Sequence, residues 1–539
     1  MIGIDFGNQS CFVAVVKDGG VETVDNDYSL RATSSVVAFS ARNRILGVAA
    51  ANQRMSNLTN TISSFKPLLG WRWDDFFVQD ELNKLPYKVI PHHSGGVAVE
   101  VNYCGKDKSY SVEHVTAMLL TGLKETTEVV LKGEIKNCVI AVSDSGIKLV
   151  LKKKYEIIEY RILIGFGHGG MVYDGIGTFL GQNEIPGMVP SYFTDPQRRA
   201  LQAATKIAGM NVLQILSEPA AVSLAYGYYR EDLPDEDEAP RNVVFVDCGH
   251  SSLQVWVCAF SEGNLKILTS CSAPSLGGRD FDSLLGLHFC TEFQKKYNIR
   301  PESNPRAYLR LLTEVEKVKK SMSSNSSVLP LNIESFLDDM DVSGNICRAE
   351  SETISQSLLN GVETTLKNCL KDSKLQPKHI DSVEIVGGST RIPAIKELIS
   401  KIFKKSVSTT LNQDESVARG CALQCAILSK SRGIKSFKVQ DIQYHSIRIV
   451  WDESLQEDGW KEVLPLHGPI PYSDSVTFHK QGNTFKFKVK CPLAEIGDYS
   501  IDNFSYELGD TTELRLDVGM NADGIFNLNE ATAFHNNPK

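Results

Sequence analysis

Residues 2–16 and residues 244–257 share one pattern of apolar and polar positions. In each, an apolar run is interrupted by a short polar turn that contains glycine, and a second apolar run follows. Apolar runs of this length bounded by turn residues predict β-strands. Each copy therefore predicts a β-hairpin, and its first strand carries an aspartate, Asp5 or Asp247, to its C-terminal end.

Strand-like and helix-like patterns alternate elsewhere in the first 430 residues. Asp195 is predicted as a helix N-cap, with Pro196 in the first turn and Gly209 at the stop. Alternating strands and helices favour mixed α/β lobes that bind ligands at the ends of strands. The predicted strands are 36–39, 137–141 and 212–216, and the predicted helices are 111–132, 195–208 and one opening at 217–219.

The pattern changes after residue 427. Short runs that alternate apolar and polar residues, at 447–451, 485–489 and 513–518, are typical of half-buried strands. We predict a separate all-β domain over 442–539, most simply a sandwich. The acidic stretch 231–238 is interpreted as a solvated loop.

Composition narrows the class of protein. A chain of 539 residues is too long for one core, and its net charge of −8 argues against a general nucleic-acid binder. The twelve cysteines lack metal-site spacing, which favours a reducing compartment. Met1 leads directly into the first strand, so no targeting segment is expected, and no apolar window of about 18 residues predicts a membrane span.

The turns of the two predicted hairpins are suited to binding an anion. A glycine after the aspartate, Gly7 or Gly249, lets backbone N–H groups approach an anion closely. Two such turns facing each other would clamp a polyphosphate and its metal ion. A third glycine turn, Gly387-Gly388, lies between a predicted strand and a helix, and is either an anion or nucleoside seat or an ordinary tight turn.

Other candidates are ambiguous on pattern alone. The helix around 309–323 presents one polar face, which is either solvated or a ligand wall; this face contains Glu316, Lys319, Lys320 and Ser323. Lys66 reads as a surface lysine, Glu218 as a first-turn acid that complements the helix dipole, and Asp414 as an N-cap or first-turn acid.

Together these motifs resemble the actin-like ATPase superfamily. They are more closely similar to the 70-kDa heat-shock chaperones, and within these to the heat-shock protein 110 branch. The resembling segments cover most of residues 1–430; they are IGIDFGNQS, TISSFKPLLG, VPSYFTDPQRRALQAA, SEPAAVSLAYG, VVFVDCGHSS, LGGRDFD, EVEKVKKSMS, VEIVGGSTRIP and LNQDESVARGCALQCAI.

The resemblance implies an α/β fold. A two-lobed actin-like ATPase domain would occupy 1–430, a linker 431–441, and a C-terminal β-sandwich domain that binds polypeptide 442–539. The family's helical lid is expected to be absent, because the chain stops at Lys539, and the acidic, leucine-containing linker of 70-kDa members is replaced by the stretch 435–439.

The resemblance also implies ATP or ADP with Mg²⁺ as cofactors and assigns roles to residues. Lys66, Glu218 and Asp247 would be catalytic, and Asp5 and Asp247 would hold the metal through water. Pro190 and Arg198 match positions of communication between domains. The implied cofactor-binding residues are Asp5, Gly7, Asn8, Gln9, Gly249, His250, Ser251, Ser252, Gly277, Gly278, Glu316, Lys319, Lys320, Ser323, Gly387, Gly388, Ser389, Arg391 and Asp414.

Two departures from the family concern hydrolysis. Gln254 stands where 70-kDa members have an aspartate, and an amide cannot act as a carboxylate base. At Asn8 an amide replaces a hydroxyl. Because phosphoryl transfer depends mainly on positioning and electrostatics, ATP binding with weak ATPase activity is expected.

A third departure is the atypical segment 142–188, which interrupts the family pattern. It is either a functional loop insertion, a glycine-rich phosphate loop, or untranslated gene sequence carried into the predicted protein. The last is favoured, because long loops without secondary structure are uncommon inside compact domains.

The resemblance implies a chaperone and co-chaperone. Its expected partners are a 70-kDa heat-shock chaperone, whose adenine nucleotide it would exchange, and unfolded polypeptides, which it would hold. The alternatives are an active ATP-hydrolysing foldase and, more remotely, a metabolite kinase of the same superfold. A cytoplasmic location is expected, with the nucleus as an additional one.

Overall fold

A computed structural model describes residues 1–17, 19–82, 84–142, 193–451, 459–480, 484–502 and 512–535. Apart from residue 142, the segment predicted as an insertion lies outside these ranges, and so does Pro190.

The first lobe is built on one mixed sheet. Its strand order is β12-β11-β1-β2-β3, with β4 beside β2, and the small sheets β6-β5-β7 and β10-β9-β8 accompany it. The strands are β1 (Ile2–Phe6), β2 (Ser10–Lys17), β3 (Gly20–Thr23), β4 (Thr33–Ser34), β5 (Val36–Phe39), β6 (Arg44–Leu46), β7 (Thr61–Ser63), β8 (Lys88–Pro91), β9 (Val97–Tyr103), β10 (Lys106–Ser111), β11 (Asn137–Val142) and β12 (Asn211–Ser217). The helices are α1 (Gly47–Asn52), α2 (Phe76–Leu82), α3 (Val112–Leu131), α4 (Asp195–Ile207) and α5 (Glu218–Gly227).

The second lobe repeats the central hairpin in a sheet of order β19-β18-β13-β14-β15-β20. Its strands are β13 (Arg241–Cys248), β14 (Ser252–Ser261), β15 (Asn264–Pro274), β16 (Leu329–Leu337), β17 (Met340–Ile346), β18 (Ser382–Val386), β19 (Val407–Ser408) and β20 (Lys438–Ile442). The helices are α6 (Gly278–Tyr297), α7 (Pro305–Met322), α8 (Arg348–Ile354), α9 (Gln356–Asp372), α10 (Pro393–Phe403) and α11 (Ser416–Leu428). Short 3₁₀ turns occupy Leu58–Asn60, Lys66–Leu68, Pro301–Ser303, Pro377–His379 and Gly388–Arg391.

The C-terminal region forms two facing sheets, β22-β21-β25-β26 and β24-β27-β28, around an apolar core. This arrangement confirms the β-sandwich. The short strand β23 pairs with β20, and so extends the sheet of the second lobe. The strands are β21 (Ile447–Val450), β22 (Trp460–Leu464), β23 (Pro469–Ile470), β24 (Tyr472–Lys480), β25 (Thr484–Lys490), β26 (Glu495–Asp502), β27 (Thr512–Met520) and β28 (Phe526–His535).

Both predicted hairpins are confirmed. In the first lobe β1 pairs antiparallel with β2 and parallel with β11. In the second lobe β13 pairs antiparallel with β14 and parallel with β18. The two equivalent hairpins therefore bring Asp5 and Asp247 to equivalent strand ends.

Helix α11 ties the lobes together, because it returns from the second lobe onto the sheet of the first. A Cβ on Gly420 would lie 1.9 Å from the carbonyl oxygen of Ala221, and a Cβ on Gly3 would lie 2.0 Å from the backbone nitrogen of Ala422. Glycine is therefore required for this close approach. One apolar cluster joins residues of α5, α11 and the β13–β14 hairpin where the two lobes meet.

The predicted start of α4 at Asp195 is confirmed, but its predicted N-cap is wrong by one residue. The N-cap of α4 is Thr194, whose side chain and that of Gln197 form a capping box. Asp195 is instead the first helical residue. Its carboxylate accepts from the backbone N–H of Phe526 at 2.6 Å and pairs with Arg199, so a contact with the β-sandwich decides its role.

The β-sandwich docks on α4 of the first lobe. The Arg198 Nη1 donates to the carbonyl oxygen of Asp523 at 2.8 Å, and the Arg199 Nη2 donates to that of Phe526 at 2.6 Å. Because these bonds reach backbone groups in the loop between β27 and β28 and at the first residue of β28, they fix the position of this turn.

Candidate functional site

A cavity of about 540 Å³ lies between the two lobes. Most residues predicted from the sequence to form a site line it: Asp5, Gly7, Asn8, Gln9, Glu218, Asp247, Gly249, His250, Ser251, Ser252, Gly278, Glu316, Lys319, Lys320, Ser323, Gly387, Gly388, Ser389, Arg391 and Asp414. Lys66 and Gly277 do not line it. Residues that the prediction did not include also line the cavity: Ser10, Phe12, Ala32, Gln254, Asp282, Ile392, Gln413 and Val417.

The two aspartate-glycine turns meet across the cavity. The Asn8 Nδ2 lies 3.2 Å from the His250 Nδ1. Burial, with the nearby cations Arg279 and Lys319, lowers the pKa of His250 to about 3. The ring is therefore neutral at neutral pH and acts as a hydrogen-bonding group. When Asn8 donates to Nδ1, the ring proton lies on Nε2.

Four carboxylates crowd one end of the cavity. Burial raises the pKa of Asp5 well above its usual value, and Glu218 raises it further. Burial, followed by Glu218 and Asp414, raises the pKa of Asp247 to about 8. The Lys66 ammonium opposes both shifts, and a bound cation would oppose them further, because like charges withdrawn from water disfavour one another.

Glu218 is held at the start of α5 next to the N-cap Ser217, whose side chain accepts from the backbone of Ala220. The Gln254 Nε2 donates to Glu218 Oε2 at 2.6 Å. The Gln254 Oε1 and the Asn8 Oδ1 are buried without a hydrogen-bond partner among the described residues. Since buried polar atoms are normally satisfied, both are placed to accept from a bound molecule or its water.

Lys66 is almost fully buried, with 1% of its surface exposed. Its Nζ donates to the carbonyl oxygen of Phe6, which lies between Asp5 and Gly7. The same Nζ lies 5.3 Å from the ring centroid of Phe6 and 5.5 Å from that of Phe193. The ammonium therefore supports the first turn through its backbone, and its charge lowers the pKa of both Asp5 and Asp247.

The polar face of α7 forms one wall of the cavity. The Lys319 Nζ donates to the Gly278 carbonyl oxygen at 2.8 Å and pairs with Asp282 at 2.7 Å. Glu316 pairs with Lys320 at 2.8 Å. Each lysine of this face is therefore held in an ion pair, so the face is ordered by these contacts rather than freely solvated.

The third glycine turn closes the opposite wall. Gly387 has φ of +78°, and a Cβ there would lie 2.2 Å from the Asp247 Oδ1. The Ser389 Oγ donates to the Gly249 carbonyl oxygen at 2.8 Å. Arg391 extends this wall and pairs with Asp414 at 3.2 Å. The third glycine turn is thus joined to the second aspartate-glycine turn, and only glycine fits at position 387.

Gly277 supports the second turn from outside the cavity, because a Cβ there would lie 2.5 Å from the backbone of His250. Of the residues that the prediction did not include, Asp282 has the clearest role, since it neutralises Lys319. It lies four residues after Gly278 on one helix face, which is the signal that could have found it.

Across the ranges that the structure describes, no group of three or more His, Cys, Asp or Glu side chains is arranged to hold a metal ion directly. A search of the same ranges finds no helix long and apolar enough to cross a membrane.

Comparison with known proteins identifies relatives of the whole chain. The heat shock 70 kDa protein 4L of Homo sapiens is 42% identical over 99% of this chain and 59% of its own length. The 97 kDa heat shock protein of Strongylocentrotus purpuratus is 41% identical over 100% of this chain and 56% of its own length. The heat shock 70 kDa protein 4 of Rattus norvegicus is 41% identical over 98% and 59%, respectively. The chain therefore spans less than two thirds of the length of these relatives.

A family model described as Hsp70 protein matches residues 1–144 and 185–538. The stretch that it leaves unmatched falls within the predicted insertion. These similarities confirm the resemblance drawn from the motifs, including its heat-shock protein 110 branch. The chain belongs to the Hsp70 family.

Proposed function

We propose that this chain is an ATP-binding chaperone and co-chaperone of the heat-shock protein 110 type. It would accelerate nucleotide exchange on a 70-kDa heat-shock chaperone and hold unfolded polypeptide. The observation that carries the proposal is the interlobe cavity, which gathers both aspartate-glycine turns, the third glycine turn and the polar face of α7. A cytoplasmic site of action, extending to the nucleus, is part of the proposal.

The residues present fit a nucleotide with its metal ion. The glycines leave backbone room for phosphates, and the cations of α7 suit anions or the nucleoside. Asp5 and Asp247, which both line the cavity, would hold Mg²⁺ through water. The metal would supply charge that allows the crowded carboxylates to ionise, as their raised pKa values require.

Weak hydrolysis is part of the proposal. The Gln254 Nε2 donates to the Glu218 carboxylate at 2.6 Å. An amide at position 254 cannot take a proton from water as a carboxylate can. The Lys66 ammonium donates to the Phe6 carbonyl oxygen and lowers the pKa of Asp5 and of Asp247. Because position 254 lacks a carboxylate, the site suits ATP as a ligand that holds the lobes in one state.

The β-sandwich supports the polypeptide-holding part. Extended chains bind such domains through backbone hydrogen bonds, with pockets that accept alternate side chains. The docking of this domain on α4, through Arg198 and Arg199, connects it to the lobe that carries the first aspartate-glycine turn.

The test measures release of fluorescent ADP from a 70-kDa chaperone, with and without this chain and ATP. We expect this chain with ATP to accelerate release, and the matched variant Asp247→Asn to accelerate it much less. Calorimetric titration of this chain with Mg–ADP is run in parallel. Binding without acceleration would remove the exchange role and leave a nucleotide-binding holdase, while no binding would overturn the nucleotide site itself.

A further inference from the structure

A buried ion pair joins the two lobes beside the nucleotide cavity. Glu81 lies on α2 of the first lobe, and Arg279 lies in the first turn of α6 of the second. The Arg279 Nη1 and Nη2 donate to the Glu81 Oε2 and Oε1 at 3.2 and 3.1 Å. The side chains are 1% and 16% exposed for Glu81 and Arg279. Bidentate pairs withdrawn from water are the strong, geometrically specific kind, whereas exposed pairs contribute little.

The pair is attached directly to the second aspartate-glycine turn. The backbone N–H of Arg279 donates to the His250 carbonyl oxygen at 2.9 Å, and that of Gly278 donates to the Gly249 carbonyl oxygen at 2.9 Å. Arg279 therefore holds the turn with its backbone while its side chain holds the first lobe. Movement of one lobe away from the other is transmitted to the turn through a single residue.

The pair differs from the other contacts between the lobes at this site. Asn8 meets His250 at 3.2 Å, and Gln9 meets Glu316 at 3.4 Å, but all four of these residues line the cavity. A bound ligand would compete for their polar atoms. Glu81 and Arg279 are not among the cavity-lining residues, so a ligand in the cavity leaves their contact intact.

Within the first lobe, Lys84 positions the Glu81 carboxylate and stabilises its charge. The Lys84 Nζ donates to the Glu81 Oε1 at 2.7 Å and to the Asp80 Oδ2 at 2.8 Å. Burial disfavours the charged carboxylate, but Arg279 and Lys84 more than offset it and hold the pKa of Glu81 below its usual value. The carboxylate therefore stays ionised at neutral pH.

We infer that the Glu81–Arg279 pair is an interlobe latch whose opening sets the rate at which nucleotide leaves. The cavity lies between the lobes, so release of a ligand requires their separation, and separation breaks the pair. Glu81 and Arg279 act by positioning and not by touching the ligand. The inference rests on the proposed nucleotide site and adds the element that governs its kinetics.

The test is stopped-flow dissociation of a fluorescent ADP from the full chain and its variants. In Glu81→Gln and in Arg279→Gln we expect dissociation to be about 10- to 100-fold faster, because each removes the charged, bidentate contact between the lobes, and Lys84 contacts Glu81 only within the first lobe. The association rate constant is expected to stay within about twofold, as is usual for changes away from the contact surface. The double variant should accelerate dissociation much less than the product of the two single-variant effects, since both single changes remove the same interaction.

The matched control is Glu314→Gln, which removes an ion pair with Lys317 on the surface of α7 in the same lobe. It should leave dissociation unchanged. If a glutamine variant fails to fold, as judged by thermal unfolding, Arg279→Lys provides the test, because it keeps the charge but loses the two-pronged geometry. Unchanged dissociation in folded variants would overturn the latch.

A nucleotide-free measurement separates the latch from the proposed function. Amide hydrogen exchange without nucleotide should be faster in α2 and in residues 277–280 of Glu81→Gln than in the wild type or the Glu314→Gln control. If the wild type binds no ADP, the proposed nucleotide function fails and this exchange comparison alone decides the latch. Equal exchange in all three proteins would then refute it.

Discussion

The crowding of carboxylates around Asp247 predicts an unusual pH dependence of stability. The pKa of Asp247 is raised to about 8 in the folded chain, by burial first and then by Glu218 and Asp414. In the unfolded chain it returns to about 4. Since the folded-state value is the higher one, the contribution of this group to stability is complete below pH about 4 and falls as the pH rises through about 8.

The size of the effect follows from the two pKa values. Without metal or nucleotide, the difference corresponds to at most about 4 kcal/mol of lost stability at pH 7, at about 1.4 kcal/mol per unit of pKa. Asp247→Asn removes the ionisation while keeping the shape. We therefore expect the variant to be more stable than the wild type, by a margin that grows by up to about 3 kcal/mol between pH 5.5 and pH 8.

Urea titrations of both proteins at the two pH values, in the presence of a chelator, measure this margin. Asp74→Asn serves as the control, because its carboxylate is 78% exposed and should produce no such trend. Adding Mg–ADP should stabilise the wild type more than Asp247→Asn, since the metal needs the ionised carboxylate. A margin that stays constant or shrinks as the pH rises would refute the reasoning.

Three further changes test other parts of the structure. Gly387→Ala should weaken ADP binding at least about tenfold in calorimetric titration, through backbone strain and a clash with a cavity carboxylate, while Gly20→Ala, outside the cavity lining and with no atom closer than 3.7 Å to the added Cβ, should bind normally. Gln254→Asp should raise single-turnover ATP hydrolysis at least about tenfold by restoring a carboxylate, and an unchanged rate would show that another group limits hydrolysis. Arg198→Ala should release the β-sandwich, because it loses the bond to Asp523, and faster proteolysis within residues 429–437 at unchanged ADP affinity is the expected sign. Cleavage at the wild-type rate would show that the remaining contacts suffice.

The architecture was accessible from the sequence because local signals and long-range pairing agree. Both aspartate-glycine hairpins have apolar strands whose ends are fixed by their own turns, so a short stretch of sequence specifies each. The start of α4 shows the limit of such signals. Thr194 and Asp195 are both good capping residues, and a contact with Phe526, more than 300 positions away, separates their roles.

The site was predictable as a set of residues but not in its internal contacts. Family resemblance placed Lys66 at the nucleotide, yet its side-chain direction depends on the Phe6 carbonyl oxygen and the Phe193 ring. The Glu81–Arg279 pair joins residues 198 positions apart. No periodicity or turn chemistry reports such a contact, because it exists only once both lobes have folded.

The stretch 435–439, which replaces the linker of 70-kDa members, overlaps strand β20. Its residues pair in parallel with β15, Leu265 opposite Val439, so the sheet recognises it through main-chain hydrogen bonds. A backbone template is indifferent to most side chains. The side chains of Phe437, Val439 and Ile442 also pack into the apolar cluster formed by α5, α11 and the β13–β14 hairpin. A one-residue deletion in this strand would displace both its main-chain pairing and these packed side chains, so it should be more damaging than a substitution at an exposed position such as Lys438.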